Sequence, residues 1–150
     1  MSAWDGNGPV MPETVQTDDV DRVVIFVPGT PVPQGSKKGF ARGRFVNIVD
    51  DNADTLKPWR ATVAHHADIG RTFDGPLEVT LTFHMPRPQR PRWSRPAVKP
   101  DADKLARAIL DGLTDGGLIA DDARVVDLHI HEEYADTRTG VDIEVKAARS

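Results

Sequence analysis

The chain has 150 residues, a formal net charge of −4 and no cysteine. That length suits one domain with a full core, and the missing cysteine excludes disulfides and thiolate-bound metals. Hydrophobic content is 39%, and no apolar run approaches the roughly 18 residues of a membrane span, so a globular fold without a membrane partner is predicted. The opening stretch "MSAWDGNGPVMPETVQTDDVD" lacks the basic and apolar blocks of a secretion signal. Together with the absence of cysteine this fits a cytoplasmic location.

Residues 1–21 carry Asp5, Glu13, Asp18, Asp19 and Asp21 with no Lys or Arg, and show no periodicity. They are predicted to be a disordered acidic tail, with residues 22–150 forming the folded domain. "RVVIFVPG" (22–29) is a β-branched run ended by Pro-Gly, a strand. "TPVPQGSKKGFARG" reads as a basic, turn-rich loop, and "RFVNIVD" as a second strand. "KPWRATVAHHADIG" (57–70) reads as a helix with Pro58 in its first turn, Gly70 past its end and Trp59, Val63 and Ala67 on one stripe. Residues 76–85 alternate Leu77, Val79, Leu81, Phe83 and Met85 with polar residues, the pattern of a strand with one buried face.

Residues 86–100 hold five prolines, which excludes helix and central strand. A second helix follows over 101–115, with Leu105, Ile109 and Leu113 four apart, Leu110 widening the stripe, and Gly116-Gly117 ending it. Residues 123–134 read as a strand with Val126, Leu128 and Ile130 on one face and Asp127, His129 and His131 on the other. Residues 141–147 alternate as the last strand. The order is ββαβαββ, with no internal repeat and no second domain.

Charge is unevenly placed. Without the tail, 19 basic groups face 18 acidic ones. One basic cluster holds Lys37, Lys38, Arg42 and Arg44; a second, the proline-rich arm, holds Arg87, Arg90, Arg92, Arg95 and Lys99. Local charge governs attraction to phosphates, so both clusters are candidate DNA contacts, against the plainer reading of two solvated loops. The arm ends at "DAD". Pro100 biases Lys99 toward extended backbone, which suits Asp101 to the N-cap and Asp103 to the first turn. Asp is a favoured cap, and that alone explains one carboxylate. A second acidic pair, Asp121 and Asp122, precedes the strand that returns beside the same helix. The loop between is short, and Asp122 is predicted to face Asp101 and Asp103. Three converging carboxylates are costly unless a cation lies between them, and Mg²⁺ takes oxygen ligands of this kind. Two ions about 3.5–4 Å apart clamp the attacking and leaving oxygens of a phosphodiester. Basic arm and acidic cluster together point to a metal-dependent nuclease; the rival is a DNA-binding protein whose aspartates only cap a helix.

Other motifs carry less. His129 and His131 share a strand face but have no evident third zinc ligand. His65 and His66 point apart on a helix and read as structural. "GTPVPQGSKK" lacks the Gly-Lys-Ser/Thr order of a P-loop, so no nucleotide cofactor is expected. Trp93 suits either stacking on a base or a buried anchor.

"KPDADKLARAILDGLTDGGLIADDARVVDLHIHEE" resembles the RusA family of Holliday junction resolvases, which share an Asp-x-Asp-Asn start, a Leu-Asp-(Ala/Gly)-Leu helix and Asp-Asp-(Ser/Ala)-x-Val-Val. "VPGTPVPQGSKKG" and the "KPWR" helix resemble the front half of phage and prophage members. The resemblance spans about residues 22–147. It implies a single α+β domain, a mixed β-sheet with two main helices packed on it. It also implies a homodimer that binds four-way DNA junctions and nicks two opposed strands with Mg²⁺, or Mn²⁺ in its place. A general branched-DNA nuclease is the nearest alternative. Asp101, Asp103 and Asp122 match the family's catalytic carboxylates, and Asp121 the adjacent acid. Two positions depart: Lys104 stands where Asn is usual, and Arg107 where a lysine is usual. Arg107 is the expected catalytic cation and Lys104 a phosphate contact, with Lys104 its competitor for that role.

Overall fold

The computed structural model describes residues 15–19, 21–35, 37–42, 45–50 and 53–149. Its centre is β5 (Leu77–Met85), where alternation is complete: each odd residue is buried and each even one half-buried. Two antiparallel neighbours continue that pattern inward, β7 (Gly140–Ala147) beside β5 and β2 (Arg22–Pro28) beside β7. On the other flank β6 (Val125–Tyr134) runs parallel to β5. A parallel pair needs a crossover, and α2 (Ala102–Asp115) supplies it. With β1 (Val15–Asp19) paired to β2, the order is β1-β2-β7-β5-β6, a mixed sheet with β6 at one edge.

β1 falls inside the stretch predicted as a disordered tail. Its antiparallel ladder on β2 organises backbone that the side-chain pattern "VQTDD" does not mark as a strand. Residues 1–14 lie outside the described residues. A second departure is β3 (Lys37–Arg42), which pairs with β4 (Phe45–Asp50) as a separate two-stranded sheet where a basic loop was expected. The cations and Gly39 hide any apolar alternation there. The first helix, α1 (Ala53–Ala67), starts a turn before the expected boundary and keeps Pro58 inside. Buried Leu56, one turn before Trp59 and Val63, extends the apolar stripe N-terminally and outweighs the hydrogen bond Pro58 cannot make.

Both helices cover one face of the sheet, whose buried residues include Val23, Ile25, Val27, Leu81, Phe83, Ile143 and Val145. α2 contributes Leu105, Ile109 and Leu113, all fully buried. Each stabilises by about 1.5–3 kcal/mol relative to exposure. The helices approach closely because Gly112 lacks a Cβ: one built there meets Val63 Cγ1 at 2.6 Å. α2 stops in a Schellman arrangement. Gly117 takes φ +82°, the Leu118 amide donates to the Leu113 carbonyl at 3.0 Å, and the Gly117 amide donates to Thr114 at 3.1 Å. The opposite sheet face stays polar, with His84 on Asp142 at 2.7 Å and Arg22 on Glu144 at 2.5 Å.

Candidate active site

Asp101 is the N-cap residue of α2, extended at φ −68° and ψ 140°, after a cis Lys99–Pro100 peptide. Its backbone carbonyl accepts from the Leu105 amide at 3.1 Å, so the helix starts here as the sequence predicts. Its carboxylate makes no capping hydrogen bond. The side chain is 55% exposed, and Lys104 Nζ lies 4.0 Å from it. Asp103 lies in the first helical turn and Arg107 one turn later on the same face; both are exposed.

Asp101 and Lys104 border a cleft of about 910 Å³. The loop Thr30–Gly35 forms one wall, fixed to α2 by the Gln34 amide donating to the Lys104 carbonyl at 2.9 Å. The start and end of the proline-rich arm form another, with Arg87 and Lys99 among its residues. Glu132 and Tyr134, at the end of β6, close the floor. Gln34 Oε1 and Glu132 Oε1 are buried here without a hydrogen-bond partner. Burial is the main cause that holds the Glu132 carboxyl above the usual range; Asp101 adds to it and Arg95 opposes it.

The arm is attached to the domain through Pro96, which is buried, and Arg95, whose Nε donates to the Glu132 carbonyl at 3.0 Å. Arg87, Arg90, Arg92 and Lys99 remain exposed. Trp93 is exposed too, with the Arg92 guanidinium 4.9 Å from its ring centre, so it is not a buried anchor. On β3, Lys37, Lys38 and Arg42 have described backbone only, and Arg44 lies outside the described residues.

The second acidic pair sits elsewhere. Asp121 caps a single 3₁₀ turn (Asp122–Arg124) by accepting from the Ala123 amide at 2.8 Å. Asp122 accepts a short hydrogen bond from the Thr114 hydroxyl at the C-terminal end of α2. Thr114 lies thirteen residue steps along the helix from Asp101, about 20 Å at 1.5 Å per residue. Within one chain, therefore, Asp122 does not face Asp101 and Asp103. The connecting loop is short, as expected, but it returns the chain at the far end of the helix; β6 then runs its full length back toward Asp101. Near Asp122 lies Asp111, whose carboxyl is raised first by burial and then by its hydrogen bond with Asp122, against Arg60. Arg60 holds Asp115 at 2.8 Å. Among the described residues no three His, Asp or Glu side chains gather closely enough to hold a metal ion.

Sequence reading missed Glu132, Gln34 and Asp111. Glu132 had a signal, since it shares a strand face with Ile130 and Tyr134, both packed against the core. His129 and His131 are exposed on the polar face, with His129 Nε2 3.3 Å from Glu78.

An α+β domain with an acidic helix mouth and a basic arm around one cleft has the parts of a protein that acts on a phosphate backbone. A family model described as "Endodeoxyribonuclease RusA" matches residues 28–146, most of the chain, and the protein belongs to that family of endodeoxyribonucleases. No curated protein matches the chain. Among the described residues no helix is long and apolar enough to cross a membrane.

Proposed function

We propose that the protein is a structure-selective endonuclease that resolves four-way DNA junctions by nicking opposed strands. It acts as a homodimer in the cytoplasm with Mg²⁺, or Mn²⁺ as a substitute. The observation that carries this reading is Asp101. A carboxylate serving only as a helix cap accepts an amide hydrogen bond; this one accepts none and borders a cleft rimmed by cations. Family membership gives the reaction class: water adds to a backbone phosphorus, one P–O bond breaks, and the leaving oxygen takes a proton.

In this reading Arg87, Arg90, Arg92 and Lys99 bind the phosphate backbone, and Trp93 offers a face for an unstacked base at the branch point. Asp101, Asp103 and Asp122, with Asp121 adjacent, are the metal-ligand candidates. A three-carboxylate metal site does not fit within a single chain, because Asp122 stands a helix length from the other two. Arg107, exposed beyond Asp103, is positioned to offset charge developing on the phosphoryl group, with Lys104 nearer the cleft as a phosphate contact. Labelled four-way, three-way, flap and linear duplex substrates, each with Mg²⁺ and with EDTA, test the reading. Mg²⁺-dependent paired nicks confined to the four-way junction are expected. Binding without nicks would favour a non-catalytic DNA-binding protein, and equal cleavage of all branched forms a general branched-DNA nuclease.

A further inference from the structure

Asp122 stands on a single 3₁₀ turn that buries none of its residues. A segment with no buried apolar anchor has little local stability of its own, so polar tethers decide where its carboxylate points. Residues 72–74 hold the loop that leads into the turn. The Phe73 amide donates to the Leu118 carbonyl at 2.7 Å, the Ala120 amide to the Phe73 carbonyl at 2.9 Å, and the Thr72 hydroxyl to the Gly117 carbonyl at 2.6 Å. Asp121 caps the turn, and Arg124 Nε holds Asp74 at 2.5 Å. These bonds fix the backbone and the neighbouring side chains, and none of them reaches the Asp122 carboxylate.

That carboxylate is reached from α2. The Thr114 hydroxyl donates to Asp122 Oδ1, and the Asp111 carboxyl, nearly one turn earlier, also hydrogen-bonds Asp122. The two partners are not equivalent. An ionised carboxylate has no hydrogen to give, whereas a hydroxyl always has one. The charge of Asp111 also faces Arg60 of α1, whose Nη1 lies 4.0 Å away. Thr114 has a second acceptor in the Leu110 carbonyl at 3.0 Å, the back-bond open to any helical threonine. That carbonyl lies inside α2, where the Thr114 backbone amide already serves it. A hydrogen bond to a charged group is roughly twice as strong as one between neutral groups, so the hydroxyl hydrogen goes to Asp122. The branched Cβ of Thr114 restricts its χ1 in a helix, which limits the directions in which Oγ1 can point.

We propose that Thr114 is a positioning residue of the endonuclease site: its hydroxyl ties Oδ1 of Asp122 to the end of α2 and so fixes the direction in which the second carboxylate oxygen faces the reaction. This rests on the endonuclease reading for what Asp122 does, and on the hydrogen bond alone for how it is held. One rigid element then sets all three aspartates. α2 carries Asp101 and Asp103 at its start and holds Asp122 through Thr114 at its end.

Two substitutions separate the hydrogen bond from packing. Thr114→Val keeps the shape and loses the hydroxyl; Thr114→Ser keeps the hydroxyl and loses the methyl. Single-turnover cleavage of a four-way junction in Mg²⁺ is expected to fall by about tenfold or more in Thr114→Val, since misplacing a reacting group by about 1 Å costs on the order of a hundredfold. Thr114→Ser is expected to recover most of that rate. Junction affinity in EDTA is expected to match the parent in both variants, because neither changes a charge. A role in packing alone predicts the reverse order, with Thr114→Ser the weaker enzyme. That order, or parental cleavage by folded Thr114→Val, overturns the proposal. The tether is also measured without cleavage, by a double-variant cycle in urea melts that combines Thr114→Val with Asp122→Ala. If the hydroxyl acts through Asp122, the midpoint of the double variant lies higher than the two single shifts, added, would place it. Additive shifts overturn the tether. A parent protein that cleaves no junction would defeat the endonuclease reading, while the urea cycle still decides whether Thr114 holds Asp122.

Discussion

Replacing Arg87, Arg90 and Arg92 together by Ala removes three exposed cations of the proline-rich arm while leaving its attachment intact. Arg95 is omitted because its Nε supports the fold through the Glu132 carbonyl. Removing the charge that neutralises one phosphate lowers the slope of log affinity against log salt by about 0.9, so removing three lowers it by about 2.7. At 0.1 M salt the counterion-release contribution is about eightfold per phosphate, which gives about 500-fold weaker binding for the triple variant. Fluorescence anisotropy of a labelled four-way junction over a salt series, in EDTA to prevent cleavage, measures both quantities. Arg95→Ala is the contrast: it is expected to lower the urea midpoint more than the slope. An unchanged slope in the triple variant would place the arm away from DNA and refute the reasoning.

Three further outcomes are expected. Arg107→Lys stays substantially active and Arg107→Ala loses cleavage rate far more than binding in single-turnover assays; normal cleavage by Arg107→Ala with none by Lys104→Ala would move the catalytic cation to Lys104. Gly112→Ala lowers stability by about 1–2 kcal/mol in urea melts, since overpacking against Val63 exceeds the helix-propensity gain of about 1 kcal/mol; a stabilised variant would show that the helices separate freely. Deleting residues 1–14 removes Asp5 and Glu13 and leaves junction affinity unchanged or tighter, whereas weakened binding in anisotropy would assign that segment a role in holding DNA.

The parts of the fold legible in the sequence are those where one face is buried. Leu77 to Met85 alternate without error because β5 is central, and Leu105, Ile109 and Leu113 mark α2 because it lies on the sheet. The alternation of β6 was equally clear, but its burial was not: Val126 and Leu128 carry the pattern of a covered face and stand exposed at an edge. β1 was not legible because its ladder on β2 is a backbone interaction that needs no apolar side chain. At the site, the Asp101 N-cap and the exposed cations follow from local rules. The distance from Asp101 to Asp122 does not, because a short loop constrains only the end of the helix it leaves. Whether a returning strand brings Asp122 back to Asp101 depends on its direction, and β6 starts from the far end.

The most direct test of the account is Asp101→Asn on a four-way junction in Mg²⁺, with cleavage and binding measured on the same preparation. The Asp101 carboxylate is exposed and makes no capping hydrogen bond to lose, so stability stays within about 0.5 kcal/mol of the parent. The account predicts junction binding at or above the parental affinity and no nicks. Parental cleavage by the folded variant would reduce Asp101 to a helix cap and contradict the active site described for this chain.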